Sequence, residues 1–189
     1  DNNLIQVRSS RLAKNYTTEF EEMFTHGLFG NHIAAHTPQT TLTKDNTLLE
    51  TYFSPDDGAA DAIITQIESA EEQIRFAAFS FTSDRIASAL IEQAQAGIEV
   101  YGVLEEAQKK ANQGDEFKRL NQAGLDVRLD GNEDNMHHKF LLIDGQTVIA
   151  GSYNFSRSAE EHNDENLLII HNADVATQYR QEFERVFSQ

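Results

Sequence analysis

From Tyr52 to the carboxy terminus the apolar positions switch between two periods, and each switch marks a new element. Residues 58–69 (GAADAIITQIES) place apolar side chains at helical spacing after Ser54-Pro55-Asp56-Asp57, which predicts a helix. Residues 73–79 (QIRFAAF) predict a strand, 83–95 a helix capped by Ser83 or Asp84 and ended by Gly97, and 98–103 (IEVYGV) a second strand. A short helix over 115–122 stops near Gly124, and 126–129 (DVRL) predict another strand. Two apolar runs, Phe140 to Ile143 and Thr147 to Ala150, flank Asp144-Gly145, the dipeptide that most strongly signals a hairpin. Strands alternating with helices predict an α/β fold, a mixed β-sheet flanked by helices on both faces.

The ends of the chain resemble each other. Residues 1–24 (DNNLIQVRSSRLAKNYTTEFEEMF) and 164–187 (DENLLIIHNADVATQYRQEFERVF) share Asp1/Asp164, Asn3/Asn166, Leu4/Leu167, Ala13/Ala176, Tyr16/Tyr179, Glu19/Glu182, Phe20/Phe183, Glu21/Glu184 and Phe24/Phe187 without a gap. Each copy reads as an apolar strand followed by an amphipathic helix. The chain is therefore expected to begin inside the end of one repeat and to contain a second repeat complete. Three segments follow: residues 1–24 as the tail of an upstream repeat, 25–50 as a linker, and 51–189 as a complete domain. The linker assignment rests on polar composition, Gly27, Gly30 and Pro38, and the lack of a sustained period. His26, His32 and His36 fall there without supporting carboxylate or cysteine spacing, so they predict no metal site.

Composition changes the picture in three ways. No apolar run approaches the roughly 18 residues needed to span a bilayer, so the expectation is a soluble fragment. The absence of cysteine removes disulfides, thiolate metal sites and cysteine nucleophiles, and leaves the compartment open. A net charge of −16, from 15 basic and 31 acidic residues, weighs against tight nonspecific binding to nucleic acid.

The chemistry concentrates in residues 135–158 (NMHHKFLLIDGQTVIAGSYNFSRS). A two-residue turn would pair Ile143 with Gln146. Counting back then sets Lys139 opposite Ala150, His137 opposite Ser152, and Asn135 opposite Asn154, all on one face. An imidazole, an ammonium, a hydroxyl and a carboxamide would converge there, a set suited to holding a phosphate beside a nucleophile. Alternation puts His138 on the other face, in a structural or surface role. Asp144 lies an odd number of residues from Lys139 and is expected to support the site structurally. Glu165 begins the repeated strand, where it is either a surface acid or a group that orients His137.

The pattern His137-x-Lys139-x4-Asp144, followed by Gly151-Ser152-Tyr153-Asn154 and then Asn163 to Asn166, resembles the HKD signature of the phospholipase D superfamily. The resemblance spans residues 52–189, including YFSPDD at 52–57 and AAFSFT at 77–82. It implies a phospholipase D-like fold and a two-step phosphodiester transfer that uses no metal or cofactor, at a site built from two such motifs. His137 or its counterpart would attack phosphorus to give a phosphohistidine, and the other histidine would protonate the leaving oxygen. Lys139 and Asn154, with Ser152, would hold the non-bridging oxygens, and Glu165 would orient His137.

The implied substrate is a phospholipid or nucleic-acid phosphodiester, and the compact repeat resembles the small bacterial nuclease and cardiolipin hydrolase branch, cytoplasmic or associated with the cell envelope. Two alternatives stand beside hydrolysis: phosphatidyl transfer of the cardiolipin synthase type, and a noncatalytic scaffold or binding half. Asn2 occupies the place that Glu165 holds in the second repeat, which leaves open which histidine is the nucleophile. An upstream half, or a second copy in a homodimer, is the partner expected to complete the site.

Overall fold

The computed structural model describes residues 1–30, 37–111 and 116–189. In chain order the elements are Ser10–His26 (α1), Thr41–Lys44 (β1), Thr47–Ser54 (β2), Ala59–Glu68 (α2), Gln73–Ala78 (β3), Asp84–Gln95 (α3) and Glu99–Leu104 (β4). They continue with Glu106–Ala111 (α4), Phe117–Gln122 (α5), Asp126–Leu129 (β5), Lys139–Ile143 (β6), Thr147–Gly151 (β7), Arg157–Glu161 (α6), Glu165–His171 (β8) and Ala173–Phe187 (α7). The strands form one sheet in the order β1-β2-β8-β7-β6-β3-β4-β5. β3, β4 and β5 run parallel, joined by helical crossovers, and the remaining pairings are antiparallel, so the sheet is mixed as expected.

Helices cover both faces. On one, Ile63 and Ile67 of α2 and Ile86 and Leu90 of α3 pack on Leu141, Ile143 and Ile149. On the other, Tyr179 and Phe183 of α7 pack on Phe140, Leu142 and Val148. β6 lies between the two layers and all five of its residues are buried, which is why it reads as an unbroken apolar run rather than an alternating one. Each large apolar side chain buried there contributes about 1.5–3 kcal/mol.

Three expectations need correction. Residues 41–50 are not linker: β1 and β2 form a hairpin around Asp45 and Asn46, both at positive φ, with Leu42 and Leu49 buried. The turn uses Asp-Asn where Asp-Gly is the usual signal, and the pattern is correspondingly faint. His26 ends α1, while His32 and His36 lie outside the described residues.

Residues 1–9 join no strand, although the helix after them keeps the repeat's offset down to its cap. Ser9 caps α1 and Asn172 caps α7, each accepting from a backbone N–H of the first turn. β8 is a strand because it sits between β2 and β7, and residues 1–9 have no such flanking pair.

The third correction is to the hairpin register. The turn closes as expected, Gln146 N–H to the Ile143 carbonyl at 3.0 Å, with Asp144 and Gly145 at positive φ. Gln146 is then bulged out, its carbonyl taken by Asn172 N–H at 2.9 Å, and pairing resumes at Ile143 with Thr147. The register moves by one, so Phe140 rather than Lys139 opposes Ala150.

Asp144 braces this corner. Its carboxylate accepts the N–H groups of Glu71, Glu72 and Gln73, each at 2.9 Å. Burial pushes its pKa up, but the three bonds outweigh burial and hold it below the usual carboxylate range. Asp144→Ala is expected to cost about 2–3 kcal/mol of folding stability, measured by urea unfolding. Because the folded pKa is depressed, the contribution is complete above about pH 3.9 and fades as pH falls through the folded value; Asp144→Asn flattens that acid limb.

Candidate active site

The candidate site lies at the end of the sheet where β3 and β7 finish and β6 and β8 begin. Lys139 opens β6, and its alternation with Leu141 and Ile143 turns it toward the layer of α2 and α3. Its Nζ lies 3.2 Å from His137 Nε2, 3.1 Å from the His137 carbonyl oxygen and 4.9 Å from the centre of the Phe79 ring. His137 packs edge-on against the same ring, at 4.5 Å between centroids. Phe79 follows β3 directly, so one aromatic shelf carries both groups.

The electrostatics follow from this crowding. Burial pushes the Lys139 amine down to about 8, opposed by the Glu165 carboxylate. Burial, then the Lys139 ammonium, also lowers the His137 pKa. A neutral imidazole with its Nε2 lone pair beside an ammonium is the state required of a nucleophile that approaches a phosphorus whose oxygens that ammonium can hold.

The backbone around His137 is tied on every side. Met136 N–H donates to Glu105 at 2.6 Å, His137 N–H to the Asp1 carbonyl at 2.9 Å, and Phe79 N–H to the His138 carbonyl at 2.8 Å. His138 itself is fully buried on the α7 side. Its Nε2 lies 2.7 Å from Glu182 Oε1 and its Nδ1 3.1 Å from Asn3 Oδ1. These bonds anchor the backbone immediately between His137 and Lys139.

The other sequence-derived residues divide. Glu165 opens β8 opposite Ser54 and accepts from Asn163 at 3.3 Å; it reaches Lys139 through its charge, and among the described residues no hydrogen bond joins it to His137. Asn154 lies in the turn after β7 rather than on the ladder, and its buried Oδ1 has no hydrogen-bond partner among the described residues. Such an atom is costly unless a further group reaches it. The bulge takes Ser152 out of phase with Lys139: its Oγ accepts both N–H and Nδ2 of Asn166, each at 3.0 Å, and so braces β8. Asp144 sits at the far end of β6 from Lys139. Among the described residues no cluster of His, Asp and Glu is placed to hold a metal ion.

Sequence reasoning gave no site role to Glu105, Asn3 or Glu182, and reached Phe79 only as part of the AAFSFT segment at 77–82. Asn3 and Glu182 carried a signal, as positions shared by the repeat.

Comparison with known proteins agrees with this fold. Residues 63–187 match the family described as cardiolipin synthase, PLD-like domain. A phospholipase D from Rickettsia prowazekii is 34% identical over 140 residues, 74% of this chain and 67% of its own length. The mitochondrial cardiolipin hydrolase of Xenopus laevis is 32% identical over 133 residues, covering 70% of this chain and 63% of that one. Among solved structures, the phospholipase D family member Nuc from Salmonella typhimurium superposes with a TM-score of 0.73 at 28% identity, over 76% of this chain and 95% of Nuc. The chain belongs to the phospholipase D superfamily. It spans about two thirds of the length of the curated relatives it matches, and their names support a phosphodiesterase.

Since Glu165 is the group that holds the Lys139 pKa up, Glu165→Gln is expected to lower it further below about 8. Nitrogen-15 NMR of the lysine side chain reads that shift, and an unchanged titration would detach Glu165 from the site.

Proposed function

We propose that this chain supplies one half of a phospholipase D-type phosphodiesterase site that works through a phosphohistidine. The supporting observation is the His137 imidazole, its pKa lowered, 3.2 Å from the desolvated ammonium of Lys139. In this reading His137 Nε2 forms a bond to phosphorus as the bond to the leaving oxygen breaks. A second imidazole, from a partner half, gives that oxygen its proton. Water, deprotonated by the same imidazole, then displaces His137. Lys139 and the Asn154 carboxamide neutralise and orient the non-bridging oxygens, which assigns to side chains the charge stabilisation that a metal ion performs elsewhere. Ser152 supports them through β8, Glu165 sets the Lys139–His137 pair electrostatically, and Asp144 holds the sheet corner.

A complete site takes two such halves, and the second comes from an upstream repeat or another copy of the chain. The net charge of −16 favours a phospholipid headgroup over nucleic acid as the diester. One alternative is favoured by the family description, transfer to an alcohol in place of water. Under it, added glycerol diverts product from acid to ester.

The test is turnover of bis(p-nitrophenyl) phosphate with chelator present, by the complete polypeptide and by His137→Asn. The expected result is activity that survives chelator and falls by about 10³-fold or more in the variant. Activity that chelator abolishes would rule out the metal-free mechanism.

A further inference from the structure

The two repeats contact each other reciprocally. Asn3 Nδ2 donates to Tyr179 Oη at 2.8 Å, while Tyr16 Oη donates to Asn166 Oδ1 at 3.3 Å. Asn3 and Asn166 are repeat mates, and so are Tyr16 and Tyr179. When residue i of one copy meets j of the other and j meets i, the copies are related by a two-fold axis, as in an isologous dimer.

That relation maps the seat of His138 onto a second place in the molecule. His138 and the residue before it are held by Asp1, Asn3, Tyr179 and Glu182: the Asp1 carbonyl takes His137 N–H, Asn3 and Glu182 flank the imidazole, and Tyr179 bonds Asn3. The mates of these four are Asp164, Asn166, Tyr16 and Glu19. All four line one cavity of about 260 Å³, beside Glu165.

The cavity is acidic. Glu19 lies among Glu22, Asp56, Asp57 and Asp164, and burial first, then these carboxylates, push its pKa up to about 7. A hydrogen-bond donor able to carry positive charge fits there as His138 fits its own seat. The apolar mates point the same way: Leu167 and Phe183 are 1% and 2% exposed, whereas Leu4 and Phe20 are 94% and 55% exposed. A row that is buried against the sheet in one copy lies open in the other.

We infer that Glu19, Asp164, Asn166 and Tyr16 form the seat for the residue between the His and Lys of a second His-x-Lys half, preceding residue 1 in the same polypeptide. This rests on the two-half reading above and adds which residues join the halves. The seated residue is an imidazole or comparable donor. Glu19 acts as a positioning residue for the partner histidine, as Glu182 does for His137.

The complete reading frame is the first check. It should hold a His-x-Lys as far ahead of Asp1 as His137 lies ahead of Asp164, with a donor between the two; its absence overturns the inference. A double-mutant cycle then pairs Glu19→Ala with alanine at that donor, read by urea unfolding and by bis(p-nitrophenyl) phosphate turnover. Each single change should lower kcat about tenfold with little effect on KM, the double change should add nothing, and Glu19→Gln, which keeps an acceptor, should recover most of the loss. Additive effects in both readouts would remove the contact. Coupled unfolding without any turnover by the unsubstituted polypeptide would sustain the seat and count against the phosphodiesterase. Glu19-dependent self-association of the 189-residue chain would assign the seat to a second copy and overturn the upstream assignment.

Discussion

The organisation of this molecule depends on keeping one primary amine out of water. An ammonium that loses its hydration must find fixed dipoles and opposite charge nearby, or it gives up its proton. Lys139 finds the His137 carbonyl, the imidazole Nε2, the face of Phe79 and the field of Glu165, and still sits well below the usual lysine range. Those groups come from the segment before β6, the end of β3 and the start of β8. They reach one point only because β6 is flanked by β3 and β7, with β8 next beyond β7, and because helices seal both faces of the sheet.

The same constraint explains where rigidity is placed. His137 is exposed, while the residues on either side of it are buried. Met136 is locked by Glu105, and His138 by Asn3 and Glu182. The His137 side chain thus projects from a backbone with little freedom, which under the proposed function limits the entropy lost on binding a phosphate. His138 shows how a second histidine in a motif can hold the backbone of the first.

Much of this was legible in the sequence, for identifiable reasons. Helical and strand periods located the main elements from Ala59 onward to within a residue or two, because both faces of the sheet are covered and the apolar pattern is strong. The shared side of His137 and Lys139 and the opposite orientation of His138 followed from alternation, which a shift of register leaves unchanged. Two short helices, α4 and α6, were too brief to show a period. The placement of Ser152 and Asn154 failed on one residue: Gln146 is bulged by a bond to Asn172 at the other end of β8, and no local pattern encodes a bond across 26 positions. Glu105 was equally silent, and the AAFSFT segment marked Phe79 without its role, since both act from strand ends that meet only in the folded sheet. The repeat, by contrast, carried information that periodicity lacked, and the reciprocal Asn–Tyr contacts give it a geometric meaning.

The strap formed by Asp1 and Asn3 also bears on how the molecule comes to be folded. These residues bond Asn135 and His138 across sequence separations of 134 and 135. Closing loops of that length costs entropy that local contacts do not repay, so these contacts, like the pairing of β2 with β8, form after the local helices and hairpins. The backbone that aims His137 is therefore among the last parts of the molecule to become native. On that order of assembly the chain passes through a stage in which its local helices and hairpins are in place and the segment carrying His137 is still loose.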